Sequence, residues 1–341
     1  MLLYMNRIMR LGRVKAEGQG FYHAMSRTVP GLVIFDTSGK RCANAEEFRS
    51  RMWALAIFCG VQVLDYSLMS NHFHLVFEVP EPRPLSIEEV LERVAALHPE
   101  EAQALRAQQA RLAEQPGGLE RFDRLLDKYR RRMNDPSIFV KELKGGFAQW
   151  FNRKYNRYGA LWAERFKSVL LEAGRALATV VAYVSLNPVR AGLCEDPKDY
   201  RYCGYAEAVA NGTPEAMERI RIVLGLPPEA STEELAREYR KLLFRRGAFG
   251  SKNKAPAFDM AKAQQVVEQE DGELSVQEQL RCKIRYFTDG VILGSRSFVE
   301  DHCQRLKQKL GYKRKSGPTA CKLLGPATLW VFRNLLVRVF G

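Results

Sequence analysis

The sequence lacks the features that mark a secreted, a disulfide-stabilised or a membrane-spanning protein. Its seven cysteines among 341 residues are odd in number, scattered and never in Cys-x-x-Cys spacing, so neither a disulfide framework nor a zinc ribbon is indicated. No stretch reaches the roughly 18 to 20 apolar residues that a membrane helix needs. The N-terminus has no continuous apolar run of the signal-peptide kind. We therefore expect a cytoplasmic protein with no membrane partner.

Acidic residues are also scarce relative to basic ones. The chain has 53 Lys and Arg against 39 Asp and Glu, which gives a net charge of +14. A basic surface attracts phosphate backbones and releases their counterions, so this excess favours an anionic polymer as partner, although an ordinary basic protein has the same balance. The length and an apolar content of 46% favour two folded parts.

Histidine is the third scarce residue, and its distribution is informative. Two of the five histidines, His72 and His74, stand one residue apart in the stretch LMSNHFHLVFEV. A strand alternates its side chains between faces, so both imidazoles share one face with Val76 and Glu78, while the other face is fully apolar. The pair offers two ligands for a divalent metal, although His-x-His pairs also occur by chance and in unrelated metal sites.

The hydrophobic pattern predicts a mixed α+β catalytic domain. Ser70 and Asn71 form a turn that pairs the histidine strand with the strand before it as a hairpin, and a charged helical insertion is expected at 80–135. The order strand, helix, two strands, helix, strand, helix predicts an antiparallel sheet of the ferredoxin-like kind. The other strands are expected at 20–26, 61–69 and 161–172, and the helices at 45–58, 138–157 and 175–186.

A tyrosine and an asparagine on the last of these helices form a second constellation. In AYVSLNPVRAG, Tyr183 and Asn187 are four residues apart and hence on one face of a helix. One interpretation is a nucleophile beside a candidate third metal ligand, and the other is a half-buried aromatic and a C-terminal cap before a proline. With the histidines, a tyrosine hydroxyl attacking a phosphodiester, a metal on the non-bridging oxygens and a basic groove form one coherent reaction.

Four stretches of the chain occur in a recognisable order between about residues 18 and 210: LMSNHFHLVFE, GALWAERFKS, YVSLNPVRAGL and DYRYCGY. Together they resemble the HUH single-strand transposases, and most closely the REP-associated tyrosine transposases that act on repetitive extragenic palindromes. The resemblance implies the HUH nuclease fold and His72, His74 and Asn187 as metal ligands. It implies Tyr183 as the nucleophile that forms a 5'-phosphotyrosine and releases a 3'-hydroxyl. Rejoining by a second strand's 3'-hydroxyl needs no ATP, in agreement with the absence of a Walker-type loop.

The resemblance also implies a cofactor and a substrate. The cofactor is Mg2+ or Mn2+, with imidazole ligands favouring Mn2+ or softer ions, and its task is to polarise the scissile phosphate. The substrate is a single-stranded DNA hairpin with a short single-stranded guide, cut during DNA transposition or the mobilisation of REP-type palindromes. Such a protein is nucleoid-associated. In this superfamily the tyrosine completes its own subunit's site or a partner's, so a homodimer stays open.

Basic and aromatic residues are candidates for contact with this DNA. Arg27 follows the opening strand, Arg165 and Lys167 share one face of the fourth strand, and Arg190 lies just beyond the tyrosine helix. Each is equally well explained as a solvated basic residue. Four aromatic side chains are candidates for stacking on unpaired bases, the first of them on the apolar side of its helix and expected in the core: Trp150, Trp162, Tyr155 and Tyr158.

The chain is expected to divide into a catalytic domain at 1–211 and a helical extension at 212–341. Two helices about a Gly-bearing turn within 276–310 suit either a helix-turn-helix DNA reader or a helical pair that packs on the catalytic domain. The helices predicted for the extension are 213–225, 232–246, 276–287, 297–310 and a packed terminal helix at 323–340.

Two other classes of function remain open. A non-enzymatic DNA-binding regulator that retains the fold would be indicated by a damaged nucleophile or ligand, and all four positions are intact. A metal hydrolase that uses His72 and His74 in a barrel needs further His and Asp ligands at strand ends, whereas His23, His98 and His302 sit in contexts that do not support it. The single-strand nuclease and transferase is therefore the preferred interpretation.

Overall fold

The computed structural model describes residues 14–38, 41–194, 196–211, 213–247, 290–310, 317–320 and 329–333. Its sheet begins with four strands: β1 (Gly20–Arg27), β2 (Gln62–Met69), β3 (His72–Val79) and β4 (Lys167–Leu171). The helices of the described residues are α1 (Ala43–Cys59), α2 (Ile87–Leu97), α3 (Pro99–Ala113), α4 (Gly118–Leu125), α5 (Asp127–Arg130), α6 (Pro136–Lys154), α7 (Arg175–Ser185), α8 (Asn187–Arg190), α9 (Gly204–Asn211), α10 (Pro214–Leu224), α11 (Thr232–Gly247) and α12 (Arg296–Leu310).

The four strands are antiparallel and lie in the order β2-β3-β1-β4. β2 and β3 form the expected hairpin, with Met69 opposite His72 across the turn. α1 connects β1 to β2, α6 precedes β4, and α7 follows it. This order of elements and strands confirms the ferredoxin-like α+β fold.

The two faces of the sheet are covered by different helices. On one face, the ring of Phe73 in β3 lies 4.9 Å from that of Phe48 in α1, which lies 5.2 Å from that of Phe147 in α6. All three are fully buried, and burial of each contributes about 2 kcal/mol. On the other face, α7 lies across β2 and β3, and Ser185 Oγ donates to Asp65 Oδ2 at 2.6 Å. The histidine strand is therefore buried on both faces.

Local sequence signals determine where the covering helices begin and end. Asp135 caps α6 by accepting hydrogen bonds from two backbone N–H groups of its first turn, at 2.7 and 3.1 Å, and Pro136 has a φ angle suited to that turn. α1 ends at Gly60, whose φ of 64° is in the left-handed region that glycine tolerates. Ser86 and Glu89 form a capping box at the start of α2.

The stretch between β3 and α6 is helical and packs beside α1. α2 contacts α1 and buries Val90, Leu91 and Val94. Arg130 ties the end of the stretch to its beginning by donating to the carbonyl oxygens of Asp123 and Leu85, at 2.8 and 3.3 Å. Neither these helices nor any other helix in the described ranges is both long and apolar enough to cross a membrane.

The C-terminal part of the chain adds strands to the same sheet. β5 (Gly290–Gly294) pairs in parallel with β4. β6 (Thr319–Ala320) and β7 (Trp330–Arg333) continue the sheet beyond it, with β7 antiparallel to both β5 and β6. Ser295 Oγ donates to Glu172 Oε1 at 2.8 Å, which ties the start of α12 to the end of β4. The sheet therefore crosses the boundary that we predicted at residue 211.

Three sequence-based expectations are wrong in their details. Part of the terminal helix expected at 323–340 is strand β7, because its aromatic and β-branched residues suit a pleated surface. The turn expected before α12 contains strand β5. The helix expected at 276–287 lies outside the described residues. A DNA-reading pair of helices therefore stays a prediction. The strand expected at 161–172 is confined to β4, since Trp162 forms only an isolated bridge with Thr28.

Candidate metal and nucleophile site

Three histidines, rather than two, meet under α7. His72 and His74 lie on the same face of β3, as their spacing predicts, with their ring centroids 5.3 Å apart. His23 of β1 stands opposite Val76 and is thus diagonal to His74. His23 Nε2 and His74 Nδ1 are joined by a hydrogen bond of 2.9 Å, and the two rings are stacked at 5.1 Å. Sequence reasoning set His23 aside because its position beside His74 depends on the pairing of β1 with β3.

The hydrogen bonds of the two β3 imidazoles define which nitrogen can face a metal. Asn71 Oδ1 accepts a hydrogen bond from His72 Nδ1 at 2.9 Å, so the lone pair of His72 is on Nε2. When His74 donates from Nδ1 to His23, its lone pair is likewise on Nε2. Metal-binding histidines commonly use one nitrogen for the metal and give the other to a protein acceptor. Both rings match that pattern.

Burial keeps both imidazoles neutral. Desolvation, with a smaller contribution from the charge of Arg27, lowers the pKa of His72 to about 4. Desolvation, followed by the charges of His23 and His72, holds the pKa of His74 well below its usual value. A metal binds the neutral imidazole, so the two side chains are in the correct protonation state at neutral pH. The donor chemistry of the pair therefore fits a divalent cation.

Tyr183 lies directly against the histidines. Its ring centroid is 5.5 Å from that of His74 and 6.2 Å from that of His23, both in nearly perpendicular orientation. The guanidinium carbon of Arg190 lies over the ring of the tyrosine, 3.9 Å from its centroid. Tyr183 is only 4% exposed. The candidate nucleophile is thus next to the candidate ligands, but it is enclosed by the protein.

Asn187 faces Arg190. Arg190 Nη2 donates to Asn187 Oδ1 at 2.8 Å and to the backbone oxygen of Tyr183 at 2.9 Å. Asn187 Nδ2 and Arg190 Nε are buried without a hydrogen-bond partner among the described residues, which is costly for such groups. Asn187 Oδ1, the atom that a metal would require, is therefore engaged by an arginine. The helix is interrupted between Tyr183 and Asn187, where α7 ends and α8 begins around Pro188.

The histidine pair has no third metal ligand of the His, Cys, Asp or Glu type among the described residues. No group of three or more His, Cys, Asp and Glu side chains within the described ranges is placed to hold a metal ion. Asn187 is not among these residue types, and its amide oxygen is still a candidate third ligand. Of the three predicted ligands, the fold brings His72 and His74 together, whereas Asn187 needs to exchange its contact with Arg190.

Three of the predicted DNA-contacting residues form a basic rim where β1 ends and β4 begins. Arg27 stands opposite His72 at the end of β1, and Lys167 stands opposite Met25 at the start of β4. Arg165 precedes β4, and all three side chains are exposed. Exposed basic residues beside a candidate metal site suit contacts with phosphate groups. The fourth candidate, Arg190, is turned inward over Tyr183.

The stretch DYRYCGY supports the sheet instead of supplying reactive groups. Tyr200 Oη donates to the backbone oxygen of Leu68 at 2.6 Å, and Tyr202 Oη accepts from the backbone N–H of Cys42 at 2.6 Å. The backbone oxygen of Tyr202 accepts from the N–H of Leu68 at 3.0 Å. This stretch therefore closes the outer edge of β2 and links it to α1.

The sequence matches no protein-family model and no curated protein. A solved structure of a REP-associated tyrosine transposase bound to a REP hairpin is similar to this chain, with a TM-score of 0.37 and 13% sequence identity. The match covers 60% of this chain and 88% of that one. The fold assignment rests on the strand order and helix placement given above, since values this low do not establish a family.

Proposed function

We propose that this protein is a metal-dependent, single-stranded DNA endonuclease and strand transferase that acts through Tyr183. The observation that carries the proposal is the contact of Tyr183 with His74, whose neighbour on the same face of β3 is His72. Both imidazoles are neutral and have Nδ1 in a hydrogen bond, which leaves Nε2 of His72 for a metal, and that of His74 also when its Nδ1 is the donor. The four sequence stretches that resemble REP-associated tyrosine transposases support the same chemistry. Cleavage next to DNA hairpins in transposition or palindrome mobilisation is the expected biological reaction.

The metal would be held by His72 and His74, with Asn187 as the third protein ligand once its Oδ1 is released from Arg190. Mg2+ and Mn2+ both suit phosphate chemistry, and the imidazoles favour Mn2+. A bound cation supplies Lewis-acid polarisation of the scissile phosphate. His23 is a positioning residue, because its hydrogen bond with His74 Nδ1 holds the ring in the orientation and tautomer that expose Nε2.

In the covalent step, the Tyr183 hydroxyl oxygen attacks the scissile phosphorus and loses its proton. The bond from phosphorus to the 3'-oxygen breaks, that oxygen is protonated as a free 3'-hydroxyl, and the 5'-phosphate remains on the tyrosine. Reversal with another strand's 3'-hydroxyl rejoins DNA without an external energy source. Because Tyr183 is enclosed by Arg190, the step requires Arg190 to move aside, and its guanidinium can then bind a phosphate oxygen.

The basic rim of Arg27, Arg165 and Lys167 binds the backbone of the strand that enters the site. Its position beside His72 supports this assignment, and contacts of this kind orient a strand without selecting its sequence. Tyr183 contacts the histidines of its own chain, which favours a site completed within one subunit. A homodimer is compatible with such a site but is not required by it.

The proposal is tested by incubating the protein with labelled single-stranded hairpin DNAs from the flanks of its own gene, with Mg2+ or Mn2+, and resolving the products on a denaturing gel. We expect a covalent protein–DNA adduct that needs metal and is lost in Tyr183→Phe. The matched control is Tyr129→Phe, which removes a hydroxyl that donates to Glu101 within the helical insertion. Absence of an adduct from the wild-type protein, at DNA concentrations that saturate binding, contradicts the proposal.

One observation favours a second function, that of a non-enzymatic DNA-binding regulator. Tyr183 is buried and Asn187 Oδ1 accepts a hydrogen bond from Arg190, as would be expected if the site had become structural. The same incubations, run in parallel on a denaturing gel for adducts and on a native gel for binding, separate the two functions. Tight metal-independent binding of hairpin DNA with neither adduct nor cleavage supports the regulator.

A further inference from the structure

The end of α6 and the segment that follows it display two aromatic rings at the surface, of which that of Tyr155 also packs at 4.6 Å from the ring of the buried Phe151. Tyr158 is 88% exposed and Tyr155 is 49% exposed. By contrast, the ring of Trp162 packs at 5.5 Å from that of the buried Phe73. The four aromatic candidates of the sequence therefore separate into core residues and two surface tyrosines.

The exposed tyrosines stand on an ordered loop. Asn152 Nδ2 donates to the backbone oxygen of Gly159 at 2.9 Å, and Arg157 Nη2 donates to that of Ala160 at 3.1 Å. Asn156 and Gly159 adopt left-handed backbone angles, with φ of 47° and 88°, which fold the loop back on the end of α6. Tyr158 is thus held away from the core by a defined backbone, and its ring is ready to stack without further ordering of the loop.

The surface around these rings is positively charged. Residues 150–160, with the sequence WFNRKYNRYGA, contain Arg153, Lys154 and Arg157 and no acidic residue. Lys154 Nζ lies 4.6 Å from the ring centroid of Trp150 and 5.2 Å from that of Tyr155. Tyr155 is fixed in turn by its hydroxyl, which donates to Asn44 Oδ1 at 2.7 Å. Aromatic faces interleaved with positive charge are complementary to unpaired bases joined by phosphates.

The segment that follows these rings is hydrogen-bonded to the end of β1, where Arg27 of the basic rim lies. The backbone N–H of Ala163 donates to the carbonyl oxygen of Arg27, and that of Val29 donates to Leu161, both at 3.0 Å. Five residues of chain separate Tyr158 from Ala163 and span at most about 18 Å. Tyr158 therefore lies within the length of a few nucleotides of Arg27.

We propose that Tyr155, Tyr158 and Lys154 form a stacking platform for unpaired bases of the single-stranded DNA that flanks the hairpin. This inference rests on the proposed function for its substrate and adds a subsite outside the reacting groups. Base pairs of a duplex do not present their faces to a side chain, whereas unpaired bases do, so the platform selects single-stranded flanks. Because every base has such a face, recognition here tolerates sequence changes.

The test measures binding by fluorescence anisotropy in the presence of EDTA, so that no cleavage occurs. The probes are a hairpin from the flanks of the gene with its single-stranded flank and the same hairpin trimmed to a blunt end. We expect Tyr158→Ala to weaken binding of the flanked hairpin about fivefold or more and to leave the blunt hairpin unchanged. Tyr158→Trp retains wild-type affinity, and its emission is quenched when DNA binds. The matched control Leu125→Ala, at an exposed apolar residue of the insertion, changes neither affinity.

Unchanged binding of the flanked hairpin by Tyr158→Ala, or equal weakening of both probes, overturns the platform. Crosslinking of 5-iodouracil placed in the flank supplies a second measurement, with Tyr155 or Tyr158 as the expected attachment point and attachment only elsewhere as the contrary result. At saturating DNA, Tyr158→Ala should still form the covalent adduct, because the platform lies outside the reacting groups. The adduct assay and the binding assay can therefore fail independently. If the wild-type protein binds the flanked hairpin through the platform but forms no adduct, the proposed function fails and the platform stands.

Discussion

Replacing His23 by phenylalanine removes the only described hydrogen-bond partner of His74 Nδ1 while keeping a flat ring in the stack. In the wild-type protein a bond of 2.9 Å joins His23 Nε2 and His74 Nδ1, and with His74 as its donor the lone pair of His74 is on Nε2. Without it, both tautomers of His74 become accessible and the ring is free to rotate. Loss of such an outer partner typically weakens metal binding by about 10- to 100-fold, which corresponds to about 1.4 to 2.7 kcal/mol.

The assay is titration of the DNA-free protein with Mn2+, followed by calorimetry or by the EPR signal of free Mn2+. His23→Gln is the matched variant, because its Oε1 can accept the hydrogen bond from His74 Nδ1 and should restore most of the affinity. Thermal unfolding of each variant shows whether the fold is retained. The reasoning is refuted if His23→Phe, while folded, binds Mn2+ as tightly as the wild type. It is also refuted if a 15N NMR spectrum of histidine-labelled protein shows His74 protonated on Nε2.

Further predictions concern the rim and the buried Asp65. Arg27→Gln and Lys167→Gln should each reduce the slope of log Kd against log salt for single-stranded DNA by about 0.7; an unchanged slope for both would remove them from the backbone path. Burial raises the pKa of Asp65 to about 7 from an ordinary value of 3.8, so the folded state binds its proton more tightly than the unfolded state. The wild type should therefore lose about 3 kcal/mol of its free energy of unfolding, relative to Asp65→Asn, as the pH rises from 4 to 7. Urea unfolding at both pH values measures this, and parallel pH profiles of the two proteins would contradict it.

The repeated patterns of the sequence were sufficient to predict the central fold. The apolar face of LMSNHFHLVFEV and the turn at Ser70 and Asn71 fix the β2–β3 hairpin locally, and the caps of α1 and α6 are encoded within one turn. Tertiary pairings were harder. Strand β7 was taken for a helix because its role depends on β5, which lies about 40 residues earlier in the chain.

In the candidate site, too, local sequence patterns predicted some residues, whereas contacts that depend on tertiary pairing were not predicted. His72 and His74 were found from their spacing, and Tyr183 from its motif. His23 was missed because only the register of β1 against β3 brings it to His74. The contact of Arg190 with Asn187 was missed because it depends on the break between α7 and α8, where the Arg190 side chain reaches both the Tyr183 carbonyl and Asn187 Oδ1.

The most direct test of the central claim is to locate the covalent bond itself. Wild-type protein is incubated with a hairpin DNA and Mn2+, digested with nuclease and protease, and analysed by tandem mass spectrometry. The account predicts a peptide in which Tyr183 carries a 5'-nucleotide phosphate, absent when the metal is chelated. A nucleotide attached to any other side chain, or cleaved DNA with no attached peptide, would contradict it.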